Sequence, residues 1–230
     1  MPSAFWCVVP AAGRGTRVGG DCPKQYLPLA GQPLITHTLQ RLAAHPRIAG
    51  LLVTLAGDDT RWPGLQALSG KPVRVATGGV ERCDSVLAGL DALEGTVAAQ
   101  DFVLVHDAAR PCVRVADIDR LLDAATRQDG GLLGAPLRDT LKRADASGCS
   151  ESTESRESRW RAFTPQLFRR GQLATALRDA AAQGITVSDE AMAMERAGFR
   201  PLLVEGAEDN LKVTTAADFA LAEFLLARTR

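Results

Sequence analysis

The stretch Pro10-Ala11-Ala12-Gly13-Arg14-Gly15-Thr16-Arg17, followed by Lys24, joins a glycine-rich turn to three cations, a combination suited to a polyphosphate. It follows the apolar run at residues 5–9, which reads as a short buried strand. Glycine has no Cβ, so a turn built from it lets backbone N–H groups approach a phosphate closely. Arg14 and Arg17 offer planar forks and Lys24 a mobile point charge. Two familiar glycine loops do not fit. The dinucleotide fingerprint needs glycine where Val18 stands, and residues 32–40 hold no acid for a ribose. The P-loop spacing is met by Gly15 and Gly20, but Asp21-Cys22 replaces the required Lys-Ser/Thr. The plain alternative is a strand-to-helix turn whose glycines serve conformation alone.

Further along, Val105-His106-Asp107-Ala108-Ala109-Arg110-Pro111 puts an acid just past another buried strand. A carboxylate there suits Mg²⁺, which takes one or two carboxylates together with substrate phosphates, although an Asp can equally cap the following turn. Arg110 is placed for a second anionic substrate. Gly78-Gly79-Val80-Glu81-Arg82-Cys83-Asp84-Ser85 reads as a loop entering a helix, where backbone and hydroxyl groups either read a base edge or cap the helix. Lys212, between short polar residues, is a surface residue unless a polyphosphate is bound. A phosphomonoester carries about 1.5 to 2 negative charges at neutral pH, so joining one to a nucleoside triphosphate demands several cations and a metal.

These residues need a scaffold, and 230 residues suffice for one domain with a substantial core. Lys+Arg and Asp+Glu are each 27, so no chain-wide attraction to nucleic acid or anionic membrane is expected. No apolar run reaches transmembrane length, and no basic segment precedes the N-terminal apolar stretch; neither a membrane span nor a cleaved signal peptide is expected. Five widely spaced cysteines without a C-x-x-C pair read as reduced thiols of a cytoplasmic protein, and three unpaired histidines give zinc little support.

Segments of strand and helix character alternate. Helical spacing at residues 33–44, 81–93 and 116–126 is interleaved with strand-like runs at 50–56, 73–76, 102–105 and 132–135. The expected fold class is α/β: a Rossmann-like, mostly parallel sheet with helices on both faces. Ligands of such sheets lie beyond the carboxyl ends of strands, where the glycine loop and Asp107 both fall. Residues 138–161 break the rhythm: their polar composition reads by default as a solvated loop, and more sharply as a projecting β-arm, since Asp145-Ala146-Ser147-Gly148 can turn the chain between extended flanks. From Gln166 the helical pattern resumes, through 173–182 and 189–197, before a strand at 201–204 and a final helix at 216–227.

In order, PAAGRGTR with PKQY, GGVERCDSVLAG, VHDAARP, APLRDTLKR, WRAFTPQLF, SDEAMAMERAG and EGAEDNLKVTTAADFALAEFLL resemble the 2-C-methyl-D-erythritol 4-phosphate cytidylyltransferase family over nearly the whole chain. The resemblance implies one cytidylyltransferase domain over residues 1–230, with 138–161 as a dimerisation arm, and transfer of a cytidylyl group from CTP to methylerythritol phosphate with release of pyrophosphate. It implies that Ala11, Ala12, Gly13 and Gly15 hold the nucleotide, that Gly79 and Ser85 meet the cytosine, and that Arg17 and Lys24 contact phosphates. Asp107 matches a magnesium and substrate ligand, and Lys212 a second active-site lysine. Arg110, Thr140, Arg156 and Thr164 match acceptor-binding positions, as does Ser188, where threonine is usual. Val18 and Val80 depart from the family's pattern. Homodimerisation, a divalent cation and a role in isoprenoid precursor synthesis are further implications. A cytidylyltransferase for ribitol phosphate or another polyol phosphate would look similar in its nucleotide half, and a nucleotide-binding regulatory protein would keep the fold without needing Lys24, Asp107 and Lys212 together.

Overall fold

The computed structural model describes residues 4–13 and 22–228. Strand β1 (Phe5–Pro10) is the centre of an eight-stranded sheet. Its side chains are buried on both faces, as a strand covered by helices on each side requires. Phe5, Cys7 and Val9 enter one core and Val8 the other. On one side of β1 lie β4 (Ile48–Leu55) and then β6 (Lys71–Thr77), both parallel. On its other side the chain returns with β7 (Phe102–Val105), again parallel, so that Val8 sits between Leu52 and Val105. The strand order thus reverses between β1 and β7, the topological switch point where an open α/β sheet takes its ligands beyond the carboxyl ends of its strands.

Helices close both faces. α1 (Leu34–Ala44) and α3 (Val115–Ala125) cover one; Ile35, Leu39 and Leu42 on the first and Ile118, Leu121, Leu122 and Ala125 on the second follow helical spacing into one core. α2 (Arg82–Ala92), α4 (Arg170–Ala182) and α5 (Glu190–Arg196) cover the other. α6 (Ala216–Arg228) seals a smaller cluster with Leu34, Cys112 and Val213. The remaining sheet strands are β5 (Ala67–Leu68), β8 (Gly131–Pro136), β11 (Trp160–Arg169) and β12 (Leu202–Glu205), in the order β12-β8-β11-β7-β1-β4-β6-β5. A short pair, β2 (Pro28–Leu29) with β3 (Gln32–Pro33), precedes α1.

The expected α/β class is found, with two corrections. The helical pattern does not resume at Gln166: residues up to Arg169 belong to β11, which runs antiparallel between β7 and β8, and α4 starts at Arg170. Residues 163–168 are all buried, so the strand lacks the polar alternation that marks a half-exposed one. The arm is also shorter than 138–161. Its hairpin is β9 (Leu141–Ala144) with β10 (Ser150–Glu154), whereas Trp160 and Arg161 already pair with Pro136 and Ala135 in the main sheet. Its turn is as expected: Asp145 Oδ1 accepts from the backbone N–H groups of Ser147 and Cys149, each at 2.9 Å, and Gly148 adopts φ 83°.

Gly89 sets the approach of α2 to the sheet. A Cβ there would stand 2.5 Å from Val8 Cγ1 and 3.0 Å from Leu52 Cδ2. Gly89→Ala should consequently destabilise the fold by about 1–3 kcal/mol despite alanine's better helix propensity. A rise in Tm by differential scanning calorimetry would contradict this packing.

Candidate active site

At the switch point a cavity of about 270 Å³ is lined by Ala11–Gly13, Lys24, Arg82, Ser85, Asp107 and Lys212, among others. The chain leaves β1 under tight backbone control: Ala11 N–H donates to Thr54 O at 2.8 Å, and Ala11 O accepts from Gln25 Nε2 at 2.7 Å. Gln25 belongs to a single 3₁₀ turn, Lys24–Tyr26, whose other end is tied by Tyr26 Oη donating to Asp59 at 2.8 Å. Lys24 is thus mounted on a turn whose next two side chains are both anchored. The loop after β6 lies directly against Ala12, because a Cβ on Gly78 would come within 2.7 Å of both Ala12 Cβ and Ser85 Oγ.

Asp107 organises the floor. Its Oδ1 accepts from Arg82 Nε at 2.9 Å, while its Oδ2 lies 3.0 Å from Lys212 Nζ and 3.4 Å from Arg110 Nε. Burial alone would raise the carboxyl pKa; Arg82 first, then Lys212 and Arg110, outweigh it and hold the group well below the usual carboxylate range. Asp107 is ionised at neutral pH. Arg82 also forks onto Glu190, with Nη1–Oε1 at 2.6 Å and Nη2–Oε2 at 3.1 Å. Arg110 donates to Asn210 O at 2.6 Å and lies over the Phe163 ring.

Behind Asp107 runs a buried hydrogen-bond chain whose proton positions follow from its ends. Arg110 O can only accept, so His106 Nε2, 3.1 Å away, carries the hydrogen. His106 Nδ1 then accepts from Thr164 Oγ1 at 3.0 Å, and Thr164 Oγ1 accepts from Asp107 N–H at 3.0 Å. Burial pushes the His106 pKa down to about 4, so the ring is neutral.

The expected site residues divide. Ala11, Ala12, Gly13, Lys24, Ser85, Asp107 and Lys212 share the cavity. Gly79 adjoins it, but the Ser85 hydroxyl is engaged within its own loop, accepting from Gly79 N–H at 3.2 Å and donating to Glu81 O at 3.2 Å. Arg110 and Thr164 are buried beneath Asp107 rather than facing the opening; Thr164 is 4% exposed, and its hydroxyl is spent on His106 and Asp107. Thr140 and Arg156 are exposed at the arm, where Arg156 donates to Arg138 O. Ser188 is exposed before α5 and contacts Met192 Sδ. None of these three lines the cavity of its own chain among the described residues. Gly15 and Arg17, with Arg14, lie outside the described residues. Arg82 and Glu190 went unrecognised in the sequence: each is an ordinary charge at the start of a helix, and no local signal pairs residues so far apart.

A family model described as 2-C-methyl-D-erythritol 4-phosphate cytidylyltransferase matches residues 5–228. The chain belongs to this family. It is 60% identical over 226 residues to the curated protein of that name from Xanthomonas oryzae pv. oryzae, covering 98% of this chain and 83% of the relative. It is 59% identical over 229 residues to the one from Stenotrophomonas maltophilia, covering 99% of each. Among solved structures, a 4-diphosphocytidyl-2C-methyl-D-erythritol synthase aligns with TM-score 0.84 at 34% identity over 97% of this chain and 99% of that one. The Thermus thermophilus cytidylyltransferase aligns with TM-score 0.78 at 32% identity over 98% and 99%. The protein is a cytidylyltransferase enzyme with the nucleotidyltransferase-like α/β fold of its family.

The neutral buried imidazole has a consequence for stability. The unfolded chain protonates His106 near pH 6.5, the folded chain only near 4, so between these values the unfolded state binds the extra proton. Stability is therefore lost as pH falls through this window, on the order of 2 kcal/mol by pH 5. His45, also lowered chiefly by burial, acts in the same sense. Urea titrations at pH 7 and pH 5 should show this loss, and His106→Gln should remove much of it; an unchanged pH dependence in the variant would exclude the assignment.

Proposed function

We propose that the protein transfers the cytidylyl group of CTP to 2-C-methyl-D-erythritol 4-phosphate, releasing pyrophosphate, with chemistry centred on the Asp107–Lys212–Lys24 cavity. The observation that carries this reading is the convergence of Lys24, Lys212 and an ionised Asp107 on the cavity that Ala11–Gly13 also line. The names of the family and of its relatives supply the substrates. In the reaction an oxygen of the acceptor phosphate attacks the α-phosphorus in line. The bond from that phosphorus to the bridging oxygen breaks, and pyrophosphate departs with the electron pair. An ionised phosphate needs no strong general base, so the protein's contribution is positioning and cations that meet charge developing in the transition state. Lys24 and Lys212 are assigned that task, with Arg17 on the departing phosphates. Ala11, Ala12, Gly13 and Gly15 are assigned to the nucleotide. The 78–79 backbone, shaped by Ser85, is assigned to the base.

A divalent cation fits this donor set in one way. No group of three or more His, Cys, Asp or Glu gathers among the described residues, so Asp107 would contribute one oxygen and the triphosphate and water the rest, a manner of binding that suits Mg²⁺. Such an ion would neutralise phosphate charge at the reacting phosphorus. The acceptor is assigned to Arg110 and Thr164 as supports of the floor, and to Thr140, Arg156 and Ser188 as outer contacts. Because Thr140 and Arg156 are exposed at the base of the β9–β10 hairpin and outside their own cavity, a homodimer in which the arm completes the neighbouring site accounts for them. Among the described residues no helix is long and apolar enough to cross a membrane. A cytoplasmic location is assigned from five widely spaced cysteines without a C-x-x-C pair.

Pyrophosphate release tests the function directly: CTP with methylerythritol phosphate should turn over, and ribitol phosphate in its place should not. Lys24→Ala should lower kcat about 10²- to 10³-fold with little change in Tm. Equal turnover with both acceptors would defeat the substrate assignment, and a fully active Lys24→Ala variant would defeat that of the lysine.

The arm has its own test. A charge-assisted contact of Arg156 with phosphate is worth roughly 1.5–3 kcal/mol, so Arg156→Ala should raise the acceptor KM about ten- to a hundredfold and leave CTP affinity alone. Mixed with Lys24→Ala subunits under exchange conditions, it should regain activity, because one site of the heterodimer then carries neither defect. Absence of recovery despite demonstrated heterodimers would place Arg156 in its own subunit's site or in none.

A further inference from the structure

Glu190 is the most deeply buried acid near the cavity, 1% exposed, yet it does not line it. Both its oxygens face Arg82, and the third donor of the same guanidinium, Nε, holds Asp107 Oδ1 at 2.9 Å. A planar fork engaged on all three sides has no freedom to turn, so the position of one carboxylate fixes that of the other. Glu190 is itself seated independently of the cavity. Gln166 on β11 donates from Nε2 to Asp189 Oδ2 at 3.0 Å and accepts Ala191 N–H on Oε1 at 2.8 Å, bracketing Glu190 from either side.

We propose that Glu190, acting through Arg82, is a positioning residue for Asp107 in the transfer step. The inference rests on the cytidylyl-transfer reading of the site. Glu190 spends two of the Arg82 donors away from Asp107. Without it the fork is free to turn both arms onto Asp107 and to take Oδ2, the oxygen that Lys212 and Arg110 now share. Charge balance makes a second demand. Across the network three cations face two carboxylates, leaving a single positive charge; loss of the Glu190 charge adds another. A more positive floor attracts a polyphosphate at least as well in the ground state while holding the carboxylate in the wrong place. Binding and turnover are therefore expected to separate, which general damage to the fold would not produce.

The test compares Glu190→Gln, Arg82→Lys and the double variant with the wild-type chain. kcat is read by pyrophosphate release, and CTP affinity by calorimetry without acceptor. Glu190→Gln should lose about 10- to 100-fold in kcat with CTP bound no more weakly than by wild type. Arg82→Lys, which cannot span both carboxylates, should lose at least as much, and the double variant no more than Arg82→Lys alone, since both act along one path. Wild-type kcat in Glu190→Gln, CTP affinity falling in step with kcat, or losses that add in the double variant would each overturn the proposal. Should Glu190→Gln not fold, Arg82→Lys carries the test, because Arg82 is 26% exposed on the cavity wall; wild-type kcat in it overturns the proposal equally. A wild-type chain inactive with CTP and methylerythritol phosphate would instead sink the functional reading.

Discussion

A carboxylate almost wholly removed from water must be paired, and the pairing of Asp107 is the constraint around which the site is arranged. Removing either partner of such a buried pair leaves an uncompensated charge, at a cost of about 3–5 kcal/mol. Satisfying Asp107 takes cations from three separate segments: Arg82 from the start of α2, Arg110 from the loop after β7, and Lys212 from the loop before α6. Its backbone N–H takes Thr164 from β11. One buried charge thereby draws four pieces of the chain together, and the crevice they enclose is the one that the sheet already opens beyond β1 and β7. Topology supplies the place and electrostatics the contents.

The reach of this arrangement explains why so many polar groups lie below the cavity instead of in it. Arg110 bridges Asp107 and Asn210 O; fully buried Asn210 returns Nδ2 to Thr164 O at 2.8 Å; Thr164 closes the loop through His106 and the Asp107 backbone. These mutual bonds let a polar cluster persist in a low-dielectric floor, where Asn210 Oδ1 alone of the Asn210 side-chain polar atoms is buried without a hydrogen-bond partner among the described residues. The result is a preorganised base for Lys212: Val213 N–H donates to Ala109 O at 2.8 Å, fixing the backbone next to the lysine, while its side chain stays 39% exposed and available to a ligand.

Local chemistry was legible in the sequence where it depended on residue type beside a strand end. Ala11–Gly13 after β1, the acid after β7 and the lysine before α6 line one cavity. Two kinds of fact were not legible. β11 carries no alternation because both its faces are covered, and its antiparallel course between β7 and β8 is settled only by tertiary pairing. The direction in which a short polar side chain points is likewise a tertiary matter. Thr164 and Ser85 carry the expected hydroxyls, but the structure turns one onto His106 and the other onto its own loop. The Arg82–Glu190 pair combines both difficulties, being long-range and made of residues whose types suggest nothing beyond helix-start charges.

The loop from 206 to 212 joins the arm's base to the cavity, and the strengths of its contacts are uneven. On the outside, Glu208 meets Arg138 at 2.7 Å and also Arg161, and Asp209 meets Arg114. These pairs lie at the surface, where solvent and salt screen them. On the inside, Asn210 is held at both its backbone O and its side chain, and Ala207 N–H donates to buried Asp117 at 2.8 Å. The inner bonds are the ones that fix the loop, because breaking any of them leaves a buried polar group unpaired. Lys212 therefore takes its position from the buried floor under Asp107 and not from the surface pairs with Arg138, Arg161 and Arg114.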